Sequence, residues 1–125
     1  RGSVSPAGVA KADCQGGGLR GGQFRGADLT AAHLQNAQLG RADLRGANLT
    51  RAEVNGASLV EANLEGANLT EAEIRTTNFR GANLAGANFH ESSPFHAIVD
   101  LRWKEFLRGQ KFRTDKMFGS IRWGQ

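Results

Sequence analysis

The feature that most constrains the fold of this chain is a large apolar residue at every fifth position. The spacing runs without a slip through Leu19, Phe24, Leu29, Leu34, Leu39, Leu44, Leu49, Val54, Leu59, Leu64, Leu69, Ile74, Phe79, Leu84 and Phe89. Ala usually stands two residues before each of them, and Asp, Asn, Glu or Gln usually stands one residue before. The same frame extends backward to Cys14, in the phrase Ala12-Asp13-Cys14.

This period excludes both an ordinary helix and a flat strand. Five residues on an α-helix rotate by about 140°, so the apolar residues would scatter around the helix. On a flat strand an odd step alternates faces, so every second apolar residue would face water. All of them point one way only if the chain turns a corner every five residues. The phrase GANLT at 46–50 returns at 66–70, which indicates four corners and twenty residues to a lap.

The sequence therefore predicts a solenoid of stacked square coils with Leu, Phe and Ala in its axis. The pattern A(D/N)Lxx, as in "ADLRGANLTRAEVNGASLVEANL", resembles the pentapeptide-repeat family. The resemblance implies an all-β solenoid, a right-handed quadrilateral parallel β-helix. We expect about four coils over residues 12–91, an irregular lead-in or N-terminal cap over 1–11, and a helical C-terminal cap and tail over 92–125.

Residues twenty apart should lie above one another, so the columns of this solenoid carry predictions of their own. One column predicts a ladder of side-chain amides, and another predicts a corner that needs glycine. The first column is Asp28, Asn48, Asn68 and Asn88, and the second is Gly26, Gly46, Gly66 and Gly86.

Three further columns place opposite charges on neighbouring coils. They predict that Arg41 pairs with Glu61, Arg45 with Glu65, and Arg51 with Glu71. Exposed pairs of this kind contribute about 0.2–1 kcal/mol each, so they fix the register more than they stabilise. Glu53 and Glu73 would stack as like charges above His33.

The five-residue pattern changes in the tail, residues 92–125. Ser93 suits an N-cap, Pro94 a first helical position and Gly109 a stop, which predicts a capping helix over 94–108. Residues 109–125 are too apolar for a free tail, and they either fold back on the cap or dock on a partner. Candidate partner-binding residues are Arg102, Trp103, Lys104, Phe112, Arg113, Phe118 and Trp123.

Little in the sequence points to catalysis. The solenoid axis is filled by its own side chains, so no ligand-sized pocket is expected. His33, His90 and His96 are isolated, which predicts no metal site, and no cofactor is expected. Cys14 is interpreted as a small buried hydrophobe, and a single Cys excludes an internal disulfide framework. The chain has no run of 18 apolar residues, and its lack of an initial Met leads us to expect a processed fragment.

Charge is unevenly distributed along the chain. The net charge is +4, and residues 92–125 alone carry seven Lys or Arg against three acids, while residues 17–91 have seven Arg against eight acids. Basic character therefore belongs to the tail.

These observations leave three functional hypotheses. The first is a non-enzymatic interaction rod, a scaffold or subunit of a larger complex, monomeric or dimeric through its C-terminal helix. Family resemblance implies a cyanobacterial or chloroplast origin, including the thylakoid lumen. The second is gyrase binding by DNA mimicry, which needs a strongly negative surface that this body lacks. The third is binding of nucleic acid or a membrane surface by the basic tail.

Overall fold

The structure is a computed structural model that describes residues 14–124. Its body consists of isolated parallel bridges, one for each side of the square, and each bridge joins two residues that are twenty positions apart. The series begins with Gly18↔Gln38 and ends with Asn78↔Ile98. Longer elements occur only at the C-terminal end. They are strand β1 (Ile98–Asp100), a 3-10 turn (Leu101–Trp103), helices α1 (Lys104–Arg108) and α2 (Lys116–Ser120), and strand β2 (Arg122–Gly124). The lead-in expected over residues 1–11 lies outside the described residues.

Each side of the square bonds to the coils on either side of it. On one side, the N–H of Leu64 donates to the carbonyl of Asn83, and the N–H of Asn63 donates to the carbonyl of Ala42, both at 2.9 Å. The same two bonds recur every five residues. This ladder confirms the predicted lap of twenty residues, because each partner lies 19 or 21 positions away.

The corners are tight turns with one residue in the left-handed region. At one corner the N–H of Ala27 donates to the carbonyl of Phe24 at 2.9 Å, and Gly26 between them has φ 69°. A bonded turn with a positive φ at its third residue is type II, which normally selects glycine. The predicted glycine column has this geometry. Glycine is not a requirement, however, because nine corners in the described part hold other residues at φ 53–62°.

Thr76 is the least suitable corner residue, because a β-branched side chain at φ 53° is strained. We expect Thr76→Gly to raise the free energy of unfolding by about 1 kcal/mol, since relief of the left-handed strain exceeds the added entropy of the unfolded chain. Thr114, an exposed threonine outside the left-handed set, is the control, and Thr114→Gly should destabilise. Urea unfolding measures both, and a loss of stability in Thr76→Gly would show that the corner is unstrained.

The Asp or Asn before each axial residue has a local role. The Oδ1 of Asn68 accepts hydrogen bonds from the N–H of Thr70 at 3.0 Å and from its hydroxyl. The carboxylate of Asp28 accepts in the same way from Thr30. The hydrogen bonds from the side chain and the N–H of Thr30 lower the pKa of Asp28. The prediction of an amide ladder is therefore wrong: the residues stack, but each side chain bonds to its own corner. Among the described residues, an N–H just before a left-handed corner residue, such as that of Thr70, has no partner in the ladder, and the Asp or Asn two positions earlier supplies one.

The axis is a continuous apolar core. The predicted core residues from Phe24 to Phe89 are all buried, together with the Ala two positions before most of them. Cys14 and Leu19 are only partly buried at the start of the described part, so the burial expected for Cys14 is incomplete. Gly22 replaces Ala because a Cβ there would lie 2.3 Å from the Phe24 ring.

The square coil continues beyond residue 91, where it was expected to end. Glu73 bridges to Ser93, and Asn78 bridges to Ile98. Pro94 and Val99 take the axial positions, with Ala97 in the usual Ala place. The predicted helix 94–108 is therefore wrong over 94–103, and within 94–108 only α1 is α-helical. Ser-Pro suits a helix start, but the frame of five also fits these residues, and stacking on the preceding coil stabilises the coil conformation.

Two polar residues occupy Ala positions inside the axis, and both are fully buried. The Thr77 hydroxyl donates to the carbonyl of Val54 at 2.9 Å, whereas the Ser92 hydroxyl has no partner among the described residues. We expect Ser92→Ala to stabilise the protein by about 1 kcal/mol and Thr77→Ala to destabilise it by about 1–2 kcal/mol. The melting temperatures should move in opposite directions, and a fall in both would mean that Ser92 has a partner.

Candidate interaction surfaces

The outer surface of the body carries ion pairs between coils. Arg41 Nε lies 2.7 Å from Glu61 Oε1, and Arg51 lies 3.4 Å from Glu71. All four side chains are about half exposed or more, so each pair adds little to stability. Each pair places one positive and one negative charge on neighbouring coils, and in the second column Glu91 follows Glu71.

Arg45 does not bridge to Glu65 as expected. Its Nε and Nη2 donate to the two carboxylate oxygens of Asp43 at 2.9 and 2.7 Å. Asp43 is closer in sequence, and its Oδ1 also accepts from the N–H of Arg45, so one carboxylate holds both the corner and the guanidinium. The partner of Arg45 is therefore within the same coil, and the prediction that Arg45 pairs with Glu65 is wrong.

The Asp43–Arg45 pair gives a prediction for acid stability. The guanidinium of Arg45, through its hydrogen bonds, lowers the pKa of Asp43 below its ordinary value of 3.8. A carboxyl whose pKa is lower when folded contributes stability above pH 3.8, and that contribution is lost as the pH falls through the folded pKa. Asp43→Asn should therefore flatten the fall of the unfolding free energy below about pH 4.

Urea titrations at several pH values measure that slope. Asp115→Asn is the charge-matched control, because the side chain of Asp115 makes no cap hydrogen bond. An equal flattening by both variants would contradict a specific role for the Asp43–Arg45 pair.

Glu53 and Glu73 stack as predicted by their column, and each finds a separate partner. Glu53 lies 3.3 Å from His33 Nδ1, and it also accepts from the Gln35 amide. Glu73 lies 2.8 Å from Arg113, a residue of the tail. The tail thus neutralises the upper of the two acids.

Side chains close the upper edge of the coil where the backbone ladder stops. The carboxylate of Asp100 accepts from the N–H of Gly81 at 3.0 Å, and the indole of Trp103 donates to the carbonyl of Ala82 at 3.1 Å. The amide oxygen of Gln110 accepts from the N–H of Phe89 at 3.0 Å. These bonds satisfy groups that a further coil would otherwise satisfy. Sequence reasoning did not predict these roles for Asp100 and Gln110. For Trp103 the twenty-residue period gives a signal, because this residue lies twenty positions after Asn83.

The tail folds back on the cap rather than extending from it. After α1 the chain returns to the ladder, where the N–H of Glu91 donates to the carbonyl of Lys111 and the N–H of Arg113 donates to that of Ser92. β2 then pairs in parallel with β1. Leu107, Phe112 and Ile121 are buried over the end of the axis.

The seven candidate partner-binding residues have mostly structural contacts. Phe112 is buried, Arg113 binds Glu73, and Trp103 bonds the coil edge. The rings of the cap lie beneath cations of the protein itself: Arg102 over Trp103 at 4.8 Å, Lys104 over Trp123 at 5.8 Å and Arg108 over Phe118 at 5.1 Å. The structure gathers Lys104, Phe118 and Trp123 on one end of the rod.

The depressions found among the described residues are small or open to solvent. Between the last coil and the cap lies an apolar cavity of about 10 Å³, room for about one water. Two open depressions lie outside, one beside Gln110 and Asp115 and one beside Glu61 and Asp100. Residues 14–124 contain no group of three potential metal ligands, and none of their helices has the length and apolar character needed to span a membrane.

Comparison with known proteins identifies the family. The family described as "Pentapeptide repeats" matches in eight copies over residues 10–46, 23–59, 47–83 and 57–93. The chain belongs to the pentapeptide-repeat family, a family of structural repeats. A search of curated proteins found no significant match. The right-handed winding remains an implication of family resemblance.

Several solved structures are similar to this one. HetL, a pentapeptide repeat protein involved in heterocyst differentiation regulation in the cyanobacterium Nostoc sp. PCC 7120, has a TM-score of 0.75 and 29% identity, over 80% of this chain and 44% of HetL. Rfr23 from Cyanothece 51142 has a TM-score of 0.42 and 34% identity, over 54% of this chain and 52% of Rfr23.

A pentapeptide repeat protein from the thylakoid lumen of Arabidopsis thaliana has a TM-score of 0.40 and 23% identity, over 90% and 83% of the two chains. The chain thus spans less than half the length of HetL and about half that of Rfr23.

Proposed function

We propose that this chain is a non-enzymatic interaction module, a rigid rod that acts as a scaffold or subunit of a larger protein complex. The observation that carries the proposal is the filled axis. Side chains fill it from Phe24 to the cap, and all but Thr77 and Ser92 are apolar, while most polar side chains face outward in columns at fixed spacing. Such a rod holds its outer side chains in place without an interior for a substrate.

The charge pattern supports protein contacts over DNA mimicry. A DNA mimic needs an extended negative surface. In this rod Arg41 and Arg51 face the acids of the next coil, and Arg45 covers Asp43. A surface of mixed charge favours a protein partner with a complementary pattern. A setting in a thylakoid or chloroplast complex is the part of the proposal that comes from family resemblance.

The test is the size of the native assembly. The full chain, tagged and cross-linked in an extract of its source cells, should elute well above its own 13.4 kDa and carry the same partner at about 0.15 and 0.3 M salt. Elution of nearly all the protein as a monomer would contradict the proposal. Recovery of gyrase, with protection from a quinolone, would instead favour DNA mimicry.

A further inference from the structure

We propose that the C-terminal end of the rod binds an extended acidic segment of a partner protein, which adds a strand to the outer edge of β2. The inference rests on the proposed function and names the chemistry of the partner at this end. The segment would continue the parallel stack by one more level.

The first observation is the open edge of β2. β2 pairs with β1 on one side, and no described strand pairs with its other side. The N–H of Ile98 donates to Thr77 below it, while the N–H of Arg122 donates to Ala97. Backbone groups alternate along a strand, so Trp123, opposite Val99, directs its N–H and carbonyl outward. These outward groups can bond an added strand.

The second observation is the charge around that edge. Among the cations of residues 92–124, four have no acidic group within 4 Å in the described part of the chain, and we call this set the basic end. They are Lys104, Lys111, Lys116 and Arg122. Two of these cations lie at β2 itself, because Arg122 belongs to the strand and Lys104 lies over the ring of Trp123. Trp123 also packs on Phe118 of α2, the helix that carries Lys116. An acidic strand on β2 would bring its carboxylates to these cations.

The third observation favours a peptide over nucleic acid. Single-stranded nucleic acid gains much of its affinity from bases stacked on exposed aromatic rings. Here Arg102, Lys104 and Arg108 already lie over the rings of Trp103, Trp123 and Phe118. The rings are therefore engaged, whereas the backbone edge of β2 remains open to a strand.

The test uses the full chain and a fluorescent peptide of about twelve residues that alternates Glu and Val. Fluorescence anisotropy at about 0.05 M salt measures its affinity. The variant Lys111→Gln/Lys116→Gln/Arg122→Gln should weaken binding by about tenfold or more. The body variant Arg20→Gln/Arg25→Gln/Arg41→Gln, with the same loss of charge away from this end, should change it by less than about threefold.

A second probe separates strand addition from simple charge attraction. The same peptide with two central Val replaced by Pro keeps its charge but cannot pair along the edge, and it should bind about tenfold more weakly. Equal affinity of the two peptides, no binding of either, or equal losses in the end and body variants would overturn the proposal. So would displacement of the peptide by a single-stranded oligonucleotide or by phosphatidylserine vesicles at lower concentration.

Two further outcomes are informative. Aggregation of the end variant, without loss of peptide affinity, would mean that these cations guard the edge against other copies, and it would also overturn the proposal. If the end variant still assembles with the cellular partner, the rod remains an interaction module and only the docking site is wrong.

Discussion

Leu64→Ala should lower the free energy of unfolding by about 2–5 kcal/mol, the largest effect of any single change considered for this protein. Leu64 is fully buried in the axis, between the coils of Leu44 and Leu84. Truncation leaves a cavity that the backbone cannot close, because hydrogen bonds fix the coils above and below it. Urea unfolding followed by circular dichroism measures the loss.

The control for Leu64 is Leu101, a leucine that is 48% exposed at the start of the 3-10 turn. Leu101→Ala should cost less than about 1 kcal/mol, because it creates no cavity. A similar cost at both positions would mean that the axis is not the main source of stability.

Leu107→Ala should have the second-largest effect, a loss of about 2–3 kcal/mol. Leu107 is the one buried residue of α1, and it covers the end of the axis with Phe112 and Ile121. In a solenoid each coil contacts only its neighbours, so the damage should be local. Hydrogen exchange should accelerate most for amides of the last coil, while amides near Leu44 keep their protection.

Glu105 lies on the same helix with an 83% exposed side chain. Glu105→Ala is therefore the matched control and should leave exchange in the last coil nearly unchanged. Uniform acceleration through all the coils in Leu107→Ala would contradict local damage and indicate a single cooperative unit.

The body of this fold was predictable because one physical constraint repeats. A buried residue every fifth position is compatible with corners and with neither helix nor flat strand, and the return of GANLT gives the length of the lap. The lap length then predicts which residues stack in a column. It does not predict which hydrogen bonds those side chains make, because Asn68 has two candidate partners, its stacked neighbours and its own corner. Sequence gives no distance to choose between them.

The cap was harder to predict for a related reason. Pro94 and Val99 fit both a helix and the frame of five, and only contact with the coil below decides between them. Arg45 and Arg113 likewise had several acids within reach of a long side chain. Whether the tail folds back depends on apolar contacts among Leu107, Phe112 and Ile121. These residues come after the repeat in the sequence, and their spacing follows no period.

The left-handed corners have a consequence for how such a rod can evolve. Arg, Glu, Asn, Thr and His all occupy corners that glycine could fill, so no single side chain dictates the bend. Hydrogen bonds between laps hold the bend instead. A mutation at a corner can therefore change the outer surface of the rod while the packing of the axis stays the same. Recognition and folding are encoded at separate positions of the same five-residue unit, which lets a lineage acquire new partners without inventing a new fold.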